Sequence, residues 1–232
     1  MYNILICDDD RDIVNALKLY LSDPNYNILK AFDGEEALGI IETEEIHLVL
    51  MDIMMPKLDG ISAMVKIREN SNVPVILITA KSEDSDKILG LNVGADDYIT
   101  KPFQPLEVAA RVRSQLRRYM QLGGGTMHSE SITVGGIELD DGAKSVTVDG
   151  SPVSLTPTEY EILRLLMSNT DRVYSPADIY SAIWRENPIN TDNNTIAVHI
   201  RHIREKIEIN PAEPRYLKAV WGHGYMMRGE KR

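Results

Sequence analysis

Leu48-Val-Leu-Met-Asp-Ile-Met-Met-Pro56 is the stretch whose reading decides the fold. Leu48 to Met51 is an unbroken apolar run, too short for a helix and suited to a strand covered on both faces, as in a parallel sheet. The run stops abruptly at a carboxylate, Asp52. A second apolar run, Tyr2 to Cys7, stops the same way at Asp8, Asp9 and Asp10. In open α/β sheets the chemistry lies just outside the carboxyl ends of the strands. If these two strands are neighbours, three or four carboxylates converge at one sheet edge. Like charges that close together need a divalent cation or shifted pKa values to coexist. The stretch therefore points to a metal-dependent phosphate or phosphoryl site.

Outward from it, strand and helix patterns alternate through the first half. Asp9 to Leu21 carries a helical apolar face of Ile13, Leu17 and Leu21. Tyr26–Ala31 reads as a strand, and Asp33-Gly-Glu-Glu36 as a capping box that opens the next helix. After the central strand, Asp59 caps a helix bearing Ile61, Met64, Val65 and Arg68. Val73–Thr79 is another buried strand, ending at Thr79; a helix follows near Asp84–Leu91, then a strand at Asp96–Ile99 leading to Lys101-Pro102. Pro105 suits the first turn of a last helix that runs to about Met120. Five β-α units imply a doubly wound five-stranded parallel sheet with right-handed crossovers. Its strand ends gather Asp8, Asp9, Asp52, Thr79 and Lys101. Helix capping alone accounts for the Asp8–Asp10 cluster and for none of the others.

Gln121-Leu-Gly-Gly-Gly-Thr126 breaks the pattern and reads as a flexible linker. Beyond it, short β-type segments (Ile132–Leu139, Ser145–Asp149, Pro152–Leu155) are separated by Gly-rich turns. Thr156-Pro-Thr-Glu159 and Ser175-Pro-Ala-Asp178 each start a helix with cap, N1 proline and box carboxylate together. A third helix spans about Asn193–Glu208, and Tyr216–Val220 with Tyr225–Arg228 flank Trp221-Gly-His-Gly224 as a hairpin. Three helices followed by a hairpin are the order of a winged helix-turn-helix. In the third helix Ile196, Ile200, Ile203 and Ile207 form a core stripe. Asn194, Ala197, Arg201, Arg204 and Glu208 take another face, with His199 and His202 at its flanks. Such a division suits a major groove, where Asn and Arg bond base edges or phosphates. His199 and His202 lack a third ligand nearby, which argues against a metal site.

The bulk numbers agree. At 232 residues the chain holds one large or two ordinary domains. The longest apolar runs cannot span a membrane, no signal peptide is visible, and one cysteine fits a reducing cytoplasm. The net charge of −10 weighs against nucleic acid only until it is divided. Residues 1–122 and 123–192 each carry −7, while the chain from Asn193 onward has 8 basic and 4 acidic side chains, net +4.

Asp8-Asp9, Met51-Asp-Ile-Met-Met-Pro56, Thr79-Ala80 and Ala95-Asp-Asp-Tyr-Ile-Thr-Lys-Pro-Phe103 resemble a response-regulator receiver domain of CheY-like, flavodoxin-type fold. With Ser154-Leu-Thr-Pro-Thr-Glu-Tyr160, Thr195-Ile-Ala-Val-His-Ile-Arg201 and Trp221-Gly-His-Gly-Tyr225, nearly the whole chain resembles the OmpR/PhoB family of transcription factors, especially its VanR-type members. The resemblance implies a receiver over residues 1–120, a linker over 121–130 and an α+β winged-helix domain over 131–230. It implies a phosphoryl acceptor at Asp52. Mg²⁺ (or Mn²⁺) would be held by Asp9, Asp52 and the Met54 carbonyl, with Asp8 acting through water. Thr79, Lys101 and Tyr98 would carry the switch.

The family dimerises through the helix near residues 84–91, the fifth strand and the last receiver helix. The matching charge pairs here are Lys87 with Glu107, Asp97 with Arg111 and Asp96 with Arg118, around Ile88, Leu91 and Ala110. The expected DNA contacts are Asn194, Thr195, His199, Arg201, His202, Arg204, Trp221, His223 and Tyr225. Trp221 stands where some members carry a wing arginine; Arg215, Lys218, His223 and Arg228 are the cations able to reach phosphate in its place. Implied partners are a sensor histidine kinase, double-stranded promoter DNA, a second copy of the chain and RNA polymerase, with glycopeptide-response genes as the hinted target. Two rival functions remain open at this point. One is a Mg²⁺-dependent phosphatase of haloacid-dehalogenase type with Asp8 as nucleophile and Asp10 as acid/base; the other is a receiver acting by protein contact alone.

Overall fold

The computed structural model describes residues 1–80, 94–123, 131–184 and 193–229. The chain divides into two units, Met1–Tyr119 and Met120–Arg232. In the first, β1 (Tyr2–Cys7), β2 (Tyr26–Ala31), β3 (Leu48–Asp52), β4 (Val75–Ala80) and β5 (Asp97–Lys101) form one parallel sheet in the order β2-β1-β3-β4-β5. This is the doubly wound order whose switch point falls between β1 and β3. Helices α1 (Arg11–Tyr20), α2 (Gly34–Thr43), α3 (Gly60–Asn70) and α4 (Pro105–Gly123) connect or follow the strands. Ile4, Ile6, Leu48, Leu50, Ile76, Ile78 and Ile99 cluster with Val14 and Leu17 of α1 and with Val108, Val112 and Leu116 of α4. The intervening Leu5, Val49, Met51 and Leu77 are as deeply buried, and strand alternation sends them to the opposite face, where α2 and α3 pack together. Covered on both faces, the central residues of β1, β3 and β4 are apolar at successive positions, which is why they read as runs.

Some boundaries differ from the sequence reading. β4 begins at Val75, because Pro74 cannot donate to a ladder; its carbonyl instead accepts the Val49 N–H. β5 extends to Lys101, and α4 continues to Gly123, into residues expected to be linker. The helix expected near Asp84–Leu91, and the linker from 124 to 130, lie outside the described residues. Asp10 caps α1 by accepting the Asp12 N–H, and Asp59 caps α3 through the Ser62 N–H. Asp10 is therefore the capping aspartate of the Asp8–Asp10 cluster.

The second unit opens with an antiparallel meander, β6 (Ser131–Val134), β7 (Ile137–Asp140), β8 (Ser145–Val148) and β9 (Ser151–Val153). The segment Ile132–Leu139, read as one strand, is a hairpin. Gly135 sits at φ +60° in the turn, where a Cβ would meet the Tyr216 ring at 2.4 Å, so this position needs glycine. Then come α5 (Pro157–Met167), α6 (Pro176–Trp184) and α7 (Asn193–Ile207), followed by the hairpin of β10 (Leu217–Val220) and β11 (Gly224–Met227). Ile162, Leu163 and Leu166 of α5, Ile179 and Ile183 of α6, and Ile196, Ile200, Ile203 and Ile207 of α7 close one core with Leu217 and Met227 of the hairpin. The buried Glu208 carboxylate accepts the backbone N–H groups of Arg215, Tyr216 and Leu217, fixing where the hairpin leaves α7. Tyr174 and Tyr225 exchange two backbone hydrogen bonds and tie the hairpin to the loop before α6.

Gly60 shows how tightly α3 is drawn against the end of β3. A Cβ there would lie 2.1 Å from the Asp52 carbonyl oxygen. In an ordinary helix Gly→Ala stabilises; here the methyl meets backbone that cannot turn away. Gly60→Ala is expected to destabilise the first unit by about 1–3 kcal/mol, seen as a lower urea midpoint, whereas an unchanged or raised midpoint would show the approach to be looser.

Candidate functional site

Parallel pairing of β1 with β3 runs from Ile4 beside Leu48 to Cys7 beside Met51. One step further along the same register, Asp8 comes level with Asp52. Asp8 is fully enclosed, with Oδ1 accepting the Asp10 N–H at 2.9 Å and Oδ2 accepting from Lys101 Nζ at 2.8 Å. Asp52 is 4 % exposed; Oδ2 accepts the Met54 N–H at 2.8 Å and Oδ1 lies 2.6 Å from the same Lys101 Nζ. One ammonium thus bridges the two carboxylates. Lys101 is the last residue of β5 and pairs with Ala80, while Thr79, also buried, lies one position past Ile78, the register partner of Asp52. Tyr98 is half-buried on β5, with its backbone N–H donating to Asp97 Oδ1.

Burial pushes the Asp52 carboxyl above the usual carboxylate range; the Lys101 ammonium pulls it back and the Asp8 charge pushes it further up. Burial also works against the Lys101 charge, but Asp52 and Asp8 outweigh it and hold the ammonium above its ordinary value. Among the described residues no three His, Cys, Asp or Glu side chains are set to hold a metal ion. The donors here are oxygens, they already share one cation, and Asp9 is exposed on the next residue. That donor chemistry fits a hard divalent ion once Lys101 releases Asp8.

Sequence reasoning missed the bond across the neighbouring loops. Lys57, at φ +63°, reaches the buried Asp33, whose Oδ1 also accepts the Glu36 N–H. Lys57 and Asp33 are 24 residues apart, and nothing in the spacing couples them. Gly60 was legible only as the residue after a cap.

Of the residues expected at a dimer face, Lys87, Ile88 and Leu91 lie outside the described residues. Ala110 is half-buried. Asp97 and Arg111 do meet, but within one chain: Arg111 Nη1 donates to both Asp97 oxygens at 2.9 Å, and its Nε donates to Glu107. Asp96 and Arg118, expected to pair across a dimer, each have partners within the chain. Asp96 is fully buried and takes Arg68 at 2.8 Å and the Val75 N–H at 3.0 Å, while Arg118 donates to Ser114. Arg68 reaches it from the end of α3 while also donating to the carbonyls of Gly94 and Val73, a buried brace beneath β4 and β5.

The expected DNA-contacting set also divides. Thr195, His199 and His202 are buried rather than presented. His199 packs against Trp184, with ring centroids 6.2 Å apart, and His202 faces Glu159. Arg204 Nε donates to the Leu217 carbonyl, so that side chain braces the hairpin. Glu208 likewise supports the hairpin from inside. Arg201 is exposed and pairs with Glu205 at 2.8 Å on the outer face of α7. Trp221 is 96 % exposed at the hairpin tip, with His223 beside it. Tyr225 is half-buried, and the side chain of Asn194 lies outside the described residues.

The raised Asp52 value has a consequence for stability. A carboxyl whose folded-state pKa exceeds its unfolded one contributes fully below the usual carboxylate range, and that contribution is lost as pH rises through the raised value. Asp52→Asn is therefore expected to raise the Tm of the first unit at pH 7, with the gap closing as the pH falls to about 4. Calorimetry at the two pH values checks this; an Asn variant that is less stable at neutral pH would contradict it.

Known proteins agree with this geometry. Residues 4–113 match the response regulator receiver domain, and residues 150–227 match the family described as transcriptional regulatory protein, C terminal. The regulatory protein VanR of Enterococcus faecium is 43 % identical over 223 residues, covering 96 % of both chains. VanRc of Enterococcus gallinarum is 38 % identical over 226 residues, covering 97 % of both. Among solved structures, the response regulator DrrB, a Thermotoga maritima OmpR/PhoB homolog, is 30 % identical, with a TM-score of 0.52 over 99 % of this chain and 100 % of that one. No described helix is long and apolar enough to cross a membrane. With a receiver sheet gathering Asp8, Asp52 and Lys101 and a winged-helix unit following it in the sequence, the chain belongs to the OmpR/PhoB family of two-component response regulators.

Proposed function

We propose that this chain is a transcription factor switched on by phosphorylation of Asp52. The single observation that carries the reading is the Lys101 ammonium held between the enclosed Asp8 and Asp52 carboxylates. An oxygen of Asp52 attacks the phosphorus of a phosphohistidine on a sensor kinase; the P–N bond breaks, and its electron pair returns to the imidazole. Asp9, Asp52 and the Met54 carbonyl, with Asp8 through water, would hold Mg²⁺ (or Mn²⁺), whose charge offsets that of the phosphoryl group when bound. Lys101 then turns from Asp8 to a phosphoryl oxygen, Thr79 donates its hydroxyl to another, and Tyr98 moves inward behind it. A phosphatase would need elements that select a substrate, and the second unit matches a transcriptional regulatory family instead, which weighs against that rival. Slow self-dephosphorylation returns the receiver to rest.

Phosphorylated receivers pair through the face that includes Asp97, Glu107, Ala110 and Arg111, and two winged-helix units then meet a direct repeat in promoter DNA. Arg201 on α7 and Trp221 and His223 on the hairpin carry the contact, and RNA polymerase is the further partner. The likeness to VanR supports glycopeptide-resistance-type genes as targets, in the cytoplasm.

Acetyl phosphate with Mg²⁺ is expected to label the wild-type protein at Asp52 and to leave Asp52→Asn unlabelled while its circular dichroism is unchanged; full labelling of the variant would move the acceptor elsewhere. Arg201→Ala is expected to weaken binding to a duplex selected in vitro by roughly tenfold while binding to non-specific DNA stays within about twofold. Equal affinity across salt concentrations would remove Arg201 from the contact set.

A further inference from the structure

The isoleucine stripe of α7 holds the helix against the core by contacts that have no direction. Apolar packing of this kind resists separation more than it resists a small roll about the helix axis. Base-edge bonds require placement within about 0.5 Å and 10–20°. A recognition helix therefore needs something directional on its inner side.

Glu159 supplies it. This α5 residue is 2 % exposed, and its Oε2 accepts the Thr156 N–H at 2.9 Å, completing the capping box that starts α5. The same oxygen accepts from Lys206 Nζ at 2.6 Å. Its other oxygen lies 3.7 Å from His202 Nδ1, beyond hydrogen-bond reach but facing it. His202 and Lys206 are four residues apart and so lie above one another on the same side of α7. At 3.6 residues per turn, Lys206 stands roughly 140° around the helix from Arg201. A lysine on a recognition helix reads from sequence as a phosphate contact, yet this one is turned toward a buried carboxylate that belongs to a different helix.

We propose that Glu159 is a positioning residue for DNA recognition: by holding Lys206 it fixes the roll of α7 that presents Arg201, and it keeps Lys206 from contacting DNA. The proposal rests on the reading of α7 as the DNA-contacting helix. It separates two roles that the basic character of residues 201–206 would otherwise merge. Arg201 contacts DNA, and Lys206 aims Arg201. Glu159 is also suited to this task because the Thr156 N–H holds it at the start of α5 through a bond that does not involve Lys206.

The test uses the full-length protein, a duplex selected in vitro by that protein, and poly(dI-dC) as non-specific competitor. Glu159→Gln keeps an acceptor for the Thr156 N–H, since Gln serves in a capping box, and removes only the charge beneath Lys206. Lys206→Met and the Glu159→Gln/Lys206→Met double variant complete a cycle, and Lys206→Arg is the rescue. Each single variant is expected to lose roughly tenfold in affinity for the selected duplex, the scale of one misread base contact. Binding to poly(dI-dC) stays within about twofold and the salt slope is unchanged. The double variant is no weaker than either single one, and Lys206→Arg regains most of the loss.

If Lys206→Met instead lowers the salt slope by about 1 and weakens both DNAs alike, Lys206 is a phosphate contact and the proposal fails. Additive losses in the double variant, or unchanged affinity in both single variants, also overturn it. Thermal melts of each variant exclude losses that merely reflect unfolding. If the wild-type protein selects no duplex at all, phosphorylated or not, the DNA-binding reading itself fails, a result distinct from any of these.

Discussion

Two carboxylates with almost no exposure, shared by one ammonium, are the constraint around which the first unit is arranged. Unit charges about 4 Å apart interact by about 4 kcal/mol at an effective dielectric near 20, so Asp8 and Asp52 cannot face each other uncompensated. Lys101 resolves the conflict only because β5 ends where it does, beyond β4 and on the same sheet edge as β1 and β3. The arrangement is balanced rather than locked. Asp52 is still held above its usual range, so its ionised form sits under some electrostatic pressure. A group that adds negative charge at Asp52, brought in with a divalent cation, would redistribute those contacts: a chemical event at one oxygen reaches Lys101, and through it β5.

Backbone geometry makes that balance reproducible. The β1–β3 register sets Asp8 level with Asp52, and the Gly60 approach holds the start of α3 against the Asp52 carbonyl. The Met54 N–H then fixes one oxygen of Asp52, leaving the other for Lys101. In the second unit the equivalent work is done by carboxylates that do no chemistry. Glu208 gathers three backbone N–H groups at the root of the hairpin, and Glu159 joins the start of α5 to α7. Asp8 and Asp52 thus form a pair at one sheet edge while Glu159 and Glu208 act as structural anchors, and each is held by N–H donors or cations.

The strands and the residues at their ends were legible because each signal is local: apolar runs that stop at a charge, and a cap before a helix. The same locality explains what was not legible. Asp96 and Asp97 are adjacent, yet one braces Arg68 inside the fold and the other takes Arg111 along α4; only the direction of each side chain from the start of β5 separates them. On α7, periodicity marks the isoleucine stripe clearly but leaves the histidines at its border. Trp184 from α6 and Glu159 from α5 decide that His199 and His202 face inward, and both are remote in sequence. The Ile132–Leu139 segment was misread for a different reason: Ile132/Val134 and Ile137/Leu139 each alternate, and the glycine pair between them, where the alternation changes phase, is the turn.

The most direct test of the central claim is nuclear magnetic resonance of the Lys101 Nζ and of the Asp8 and Asp52 carboxyl carbons as beryllofluoride and Mg²⁺ are added to the full-length protein. A large change at Asp52 is expected together with a new environment for Lys101 Nζ, as the ammonium leaves Asp8 for the bound fluoride. Saturation by beryllofluoride with the Asp52 and Lys101 signals unmoved would contradict it.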